Sequence, residues 1–304
     1  MIDQSAGAAA PLVGTLPVPG ATLRYEVRGA GPLLLLIAGG SGDGAVFDHV
    51  APALADRFTV ASYDARGPGR SPLDGPAEDQ RVEVHAADAR RLIDLLSPDE
   101  PAAVFGTSSG GITALGLLAR HPGRLRRVIA HEPPLARALP EPAELLALFE
   151  DVRDTAVREG TGPAFAKMAA GLAARDTERD AERGPARDTG RSTDASHEAP
   201  HDQPPLDPEF LARMHAGSAY FLRHILYPFT HHTPELGELK AASDRLVLAV
   251  GEDSRGTPLA DLVQQLGRRV GAPVRAFPGG HIGVTEHPVR FAARVREVLA
   301  ESLG

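Results

Sequence analysis

The 304-residue chain contains no cysteine. Disulfides, thiolate nucleophiles and thiolate metal ligands are thereby excluded, so any nucleophile must be an oxygen. Lysine is nearly absent, occurring only at Lys167 and Lys240, and no block of Lys and Arg suited to a phosphate backbone is present. With a formal charge of −8, no nucleic-acid partner is expected. No apolar run approaches a membrane-helix length, and Met1 to Pro19 lacks the basic start and continuous apolar stretch of a secretory signal. A soluble, cytoplasmic protein with no membrane partner is therefore expected. No internal repeat is visible. Aromatic residues make up only 5% of the chain, which gives weight to the one place where they concentrate.

What the chain does have is enough apolar surface, 42% of residues, for one large domain or one domain with an insertion. After a loose leader, Thr22 to Arg28 alternates as a strand does. Leu33 to Ile37 is wholly apolar, as a central strand covered on both faces would be, and ends in Ala38-Gly39-Gly40-Ser41-Gly42. Phe47 to Leu54 reads as a helix and Phe58 to Tyr63 as a buried strand. A loop, Asp64 to Ser71, precedes an amphipathic helix carrying Val82, His85, Ala86, Ala89, Leu92, Ile93 and Leu96. Ala102 to Phe105 is the next strand, Gly111 to Arg120 a helix ended by His121-Pro122, and Arg127 to Ala130 another strand. This alternation predicts an α/β fold with a mostly parallel central sheet and right-handed crossovers.

The rhythm stops after Pro133-Pro134 and resumes with strand Arg245 to Val250, a helix near Leu259 to Leu266, strand Val274 to Phe277 and helix Val289 to Leu299. We therefore expect a core over 20–134 and 241–304, with a helical cap over 135–240. Within the cap, Ala143 to Val152 and Ala164 to Ala174 read as helices. The stretch 175–208 is dense in Asp, Arg, Glu, Pro, Ser and Thr, too polar to offset its ordering entropy, and is expected to be disordered. Phe210, Met214, Tyr220, Phe221, Leu226, Tyr227 and Phe229 follow; they read as cap packing, with some lining an apolar pocket.

Gly106-Thr107-Ser108-Ser109-Gly110 lies between an apolar strand and a helix. In a strand-to-helix elbow of this type the serine hydroxyl is aimed out of the sheet, which makes Ser108 a candidate nucleophile. A serine needs a base within hydrogen-bond reach, and the base needs a carboxylate partner. Pro278-Gly279-Gly280-His281 follows the last strand immediately, so His281 emerges at the same edge of the sheet as Ser108. Asp64 and Arg66 read as a structural loop pair, and the adjacent His231 and His232 do not have the spacing of a metal site.

The glycine turn at Gly39-Gly40, the loop Asp64-x-Arg66-Gly67-x-Gly69-x-Ser71, the elbow at Ser108 and the closing Gly280-His281 together resemble the α/β-hydrolase family. The resemblance covers nearly the whole chain outside the cap. It implies the α/β-hydrolase fold with helices on both faces of the sheet, and an oxyanion hole from the backbone N–H groups of Ser109 and Gly40, with Gly39 or Ser41 as alternatives. The family commonly places its acid in a Gly-x-x-Asp pattern after the strand that here ends at Val250. This chain has Gly251-Glu252-Asp253-Ser254 instead. Some members, including the zearalenone lactonases, carry a Glu after the preceding strand in a His-Glu-x-Pro setting, matched here by His131-Glu132-Pro133-Pro134. The triad acid is thus expected to be Glu132, with Asp253 and then Glu252 as alternatives.

The resemblance implies a cofactor-independent, metal-free serine hydrolase of an ester, lactone or related acyl bond in a small, mainly apolar substrate. A carbon–carbon bond hydrolase or lyase on the same fold, or a non-catalytic receptor for a small ligand, stays open, and oligomeric state is not legible.

Overall fold

The computed structural model describes residues 10–171 and 205–301. Eight strands, β1 (Leu12–Val18), β2 (Ala21–Arg28), β3 (Leu33–Ile37), β4 (Thr59–Tyr63), β5 (Ala102–Thr107), β6 (Leu125–His131), β7 (Leu246–Gly251) and β8 (Val274–Phe277), form one sheet in the order β1-β2-β4-β3-β5-β6-β7-β8. From β4 to β8 every neighbouring pair is parallel, while β1–β2 and β2–β4 are antiparallel. The core helices are α1 (Ala51–Leu54), α2 (Val82–Leu96) and α3 (Ser109–Arg120) before the inserted region, and α9 (Pro258–Val270), α10 (Gly283–Glu286) and α11 (Pro288–Ala300) after it.

The wholly apolar character of β3 has a direct cause. Its side chains alternate, so Leu33, Leu35 and Ile37 enter the layer built with α2, α3 and α9, whereas Leu34 and Leu36 enter the layer built with α1 and α11. All five side chains are buried, and at about 25 cal/mol per Å² that burial holds the sheet at its centre.

The leader is more ordered than its sequence implies, because Leu12 to Val18 pairs in continuous antiparallel register with β2. Gly14 and Pro17 depress strand propensity, and Leu12 and Val13 are exposed, so no local pattern announces the strand. Its position at the sheet edge tolerates both residues. Asp64 and Arg66 are likewise not paired with each other. Asp64 receives the Arg70 guanidinium at 2.7 Å and the Gly44 N–H at 3.0 Å, while Arg66 makes a buried two-pronged pair with Asp88 at 2.7 and 2.8 Å.

Between β6 and β7 the described residues are helical: α4 (Ala143–Arg158), α5 (described over 161–171), α6 (Pro208–Tyr220), a π-helical turn (Phe221–Ile225), α7 (Leu226–Thr230) and α8 (Leu236–Ala241). α4 runs past the expected Val152 because Thr155 and Ala156 are also buried. Of the stretch expected to be disordered, 175–204 lies outside the described residues. Pro208 belongs to α6, where Asp207 caps the helix by accepting the Glu209 N–H and proline occupies the first turn. The region is fastened to the core by Arg213–Asp43 at 2.6 Å, His224–Asp79 at 3.0 Å and the Gln80 N–H to the His224 carbonyl at 2.8 Å. Among the described residues no helix is long and apolar enough to cross a membrane.

Candidate active site

β5 and β6 pair to their last residues, Thr107 opposite His131, and the Ser108 N–H then donates to the His131 carbonyl at 2.8 Å. α3 starts at the very next residue, so the chain must reverse at Ser108, whose φ of 54° and ψ of −123° are costly for a residue with a Cβ. The tightness explains the flanking glycines: a Cβ on Gly106 would stand 2.3 Å from the Gly110 carbonyl oxygen. Among the described residues, only Ser108 and Glu132 have positive φ without being glycine. Backbone strain is of order 1–3 kcal/mol per residue and persists only where surroundings impose it. Here it falls on Ser108 and Glu132, two of the three residues expected to form the triad.

His281 follows β8 after the turn Pro278-Gly279-Gly280 and brings its ring over the elbow. Its Nε2 lies 3.2 Å from Ser108 Oγ, and its Nδ1 lies 2.8 Å from Glu132 Oε2. Glu132 is fully buried, and its other oxygen accepts the Gly251 N–H at 2.8 Å. Burial works against its ionisation, but the hydrogen bond to His281, the neighbouring His131, a hydrogen bond from Ser254 and the field of His281 together hold the carboxyl down at about 2. The ionised carboxylate accepts, so Nδ1 carries the proton and Nε2 presents a lone pair to the serine hydroxyl.

The alternative acids stand elsewhere. Glu252 is exposed and lies 3.5 Å from Arg290, and Asp253 is exposed with its N–H donating to the Gly279 carbonyl at 3.1 Å. No hydrogen bond joins either side chain to His281. Ser254, which in the sequence is only a departure from the family pattern, is buried and supports Glu132 from the end of β7. The geometry behind this is lateral: an acid leaving β6 must reach across β7 to meet a histidine leaving β8, and the left-handed turn at Glu132 sends its side chain that way.

His131 lies beneath the elbow, fully buried among Phe105, Phe277 and Phe291, with its Nδ1 3.2 Å from Thr107 Oγ1. Burial pushes it down to about 4 against the pull of Glu132, so it remains neutral at physiological pH. His231 stacks on Tyr227 at 3.8 Å and His232 lies 3.5 Å from Glu83, so each is engaged separately.

Above Ser108 is a cavity of about 220 Å³, walled by Gly40, Ser109, Pro134, Phe149, Met168, Phe221, Leu226, Phe229, Thr230 and Leu259 with His281. Apart from His281, no ionisable side chain among the described residues lines it, and the Thr230 hydroxyl is turned away to the Leu226 carbonyl at 2.8 Å. Of the aromatic cluster, Phe221 and Phe229 reach this wall; Phe210 is buried and Tyr227 lies under the Arg153 guanidinium at 3.9 Å. Phe221 begins the π-helical turn, a feature that often re-aims side chains at functional sites. Gly40 and Ser109, expected to supply the oxyanion hole, meet each other: the Gly40 N–H donates to Ser109 Oγ at 3.0 Å.

A family model described as alpha/beta hydrolase fold matches residues 32–196, more than half of the chain. The chain belongs to the alpha/beta hydrolase fold family. Within this family, it is 49% identical over 126 residues to an uncharacterized hydrolase of Bacillus subtilis, YraK, a stretch covering 41% of this chain and 46% of that one. It is 34% identical over 124 residues, 40% of this chain and 47% of the other, to a zearalenone hydrolase of Bionectria ochroleuca. The matched stretch thus spans about half the length of each relative. Over 97% of this chain and 100% of the other, the alpha/beta hydrolase fold superposes on a thermophilic esterase from Thermogutta terrifontis with a TM-score of 0.67 and 22% identity, a likeness of fold.

Proposed function

We propose that the protein is a serine hydrolase of esters or lactones, with Ser108 as nucleophile, His281 as general base and acid, and Glu132 as the carboxylate that orients and stabilises the imidazolium. The observation that carries this reading is the unbroken line from Ser108 Oγ to His281 Nε2 at 3.2 Å and from His281 Nδ1 to Glu132 Oε2 at 2.8 Å. His281 takes the proton as Oγ attacks the substrate carbonyl, and the carbonyl oxygen becomes an oxyanion beside the first turn of α3. Collapse of the tetrahedral adduct expels an alkoxide, which receives the proton from His281. Water, deprotonated by the same ring, then releases the acid and restores Ser108.

The substrate half held in the cavity is neutral and apolar, because among the described residues no acidic, arginine or lysine side chain lines it to balance a charge and about 220 Å³ admits only a small group. The helical region between β6 and β7 acts as the cap that selects it. The kinship with a zearalenone hydrolase supports including lactones, for which the leaving alkoxide stays tethered to the acyl group. The same line counts against a silent ligand receptor, because Glu132 offers His281 the carboxylate partner that a working base needs.

The test is a panel of p-nitrophenyl esters of graded chain length beside lactones, run with wild type and Ser108→Ala. Hydrolysis lost by several orders of magnitude in the variant, with fluorophosphonate labelling also lost, is expected. A wild type inert to every ester and lactone and unlabelled by the probe would overturn the reading.

A further inference from the structure

Ser109 carries a hydroxyl that the mechanism above leaves unused. It follows the nucleophile directly, opens α3, and stands on the cavity wall although only 8% exposed. Its Oγ accepts the Gly40 N–H at 3.0 Å and so joins the turn after β3 to the elbow. A hydroxyl has one proton of its own to give. Among the described residues no protein acceptor takes it: the remaining hydrogen bond at Ser109 runs from Thr113 Oγ1 to its carbonyl, at 3.2 Å.

Gly40 has φ +62°, in the left-handed region, and a Cβ there would meet nothing within 4 Å. Glycine is therefore needed for the backbone angle that presents its N–H, not for space. That N–H is already engaged with Ser109 Oγ and does not stand free for a substrate oxygen. What the cavity is offered instead is the hydroxyl that the N–H polarises.

We propose that the Ser109 side chain is itself an oxyanion donor, so that Gly40 N–H donates to Ser109 Oγ and the Ser109 O–H donates to the substrate oxygen, beside the Ser109 backbone N–H. The assignment rests on the acyl-transfer reading. Within a chain of this kind each hydrogen bond strengthens the next, and the final donor is preorganised in an apolar cavity where developing charge is weakly screened. No proton is transferred; the O–H stays intact while negative charge gathers on the substrate oxygen and leaves it again. The sequence gives no sign of this arrangement, because a serine after the nucleophile is expected to contribute only its main chain.

The experiment compares wild type and Ser109→Ala on p-nitrophenyl butyrate and its thionoester, with thermal melting to verify that the variant is folded. The expected result is a fall in kcat of about ten- to hundredfold with KM nearly unchanged, below the ~10²–10³ for outright loss of an oxyanion donor because Gly40 is left to serve directly. The ratio of ester to thionoester rates should fall as well, since a thiolate accepts a hydroxyl hydrogen bond poorly. A variant as active as wild type, or more active, overturns the assignment, because the hydroxyl is then idle or blocks the seat. A slower variant with an unchanged rate ratio also overturns it, because the loss is then structural. If wild type hydrolyses no ester and Ser108 resists the fluorophosphonate, the acyl-transfer reading falls and this one with it; an active wild type with an unaffected Ser109→Ala defeats this assignment alone.

Discussion

The floor of the site differs from its roof in how its residues are held. The floor is made of the ends of β5, β6 and β8, where Ser108, Glu132 and His281 are placed by strand pairing, by two strained backbone turns and by hydrogen bonds at 2.8 to 3.2 Å. The roof, from α4 to α7, meets the cavity with apolar side chains that make no directional bond to it, among them Phe149, Phe221 and Phe229. Directional chemistry needs a scaffold that cannot slip by an ångström, and a parallel sheet closed on both faces supplies it. Selection of an apolar group needs only shape and dryness, which helices can provide while moving.

Three experiments probe that division, the strongest expected effect first. Glu132→Gln should lower kcat by about 10⁴-fold, since the wrong imidazole tautomer would then face the serine, whereas Asp253→Asn and Glu252→Gln should stay within about twofold. Steady-state kinetics on one ester decides it, and a large loss from Asp253→Asn with a mild one from Glu132→Gln would move the acid from Glu132 to Asp253.

On the roof, Phe221→Ala should leave Ser108 open to fluorophosphonate while shifting preference toward longer acyl chains, changing the ratio of kcat/KM between octanoate and acetate esters by about tenfold. An unchanged ratio would show that the roof at Phe221 does not select, and loss of labelling would show that roof and floor are not separable.

The smallest effect is one of stability against pH. Glu132 is held at about 2 in the folded protein against an ordinary 4.5, so the stabilisation from its ionised form is complete above about 4.5 and is lost as pH falls toward 2. The deficit of Glu132→Gln relative to wild type, measured by urea unfolding, should therefore narrow across that window. A deficit independent of pH would mean that the native carboxylate gains nothing from its partners.

Legibility followed the same division. Ser108 and His281 each lie in a short pattern next to a buried strand, and alternation of apolar strands with helices placed both at one edge of the sheet, because period and turn chemistry are local properties. β1 has no local signal, because an edge strand with Gly14 and Pro17 owes its existence to pairing with β2. Asp64 and Arg66 suggest a pair because they are neighbours in sequence, yet each meets a better-placed charge, Arg70 and Asp88. Ser254 had a signal, a serine where an acid is customary, but its meaning required knowing what stood beside it.

The sequence by itself determined the fold class and the strand ends at which an alcohol and an imidazole emerge, since apolar periodicity and glycine punctuation act over a few residues. Only the tertiary structure decided which of three carboxylates reaches the ring, where the Gly40 N–H points and which aromatic side chains wall the cavity. Those outcomes depend on the lateral order of the strands and on helices folding back over them, contacts such as Gly40 with Ser109 and Glu132 with Gly251 and His281, 69 to 149 positions apart, that no local pattern records.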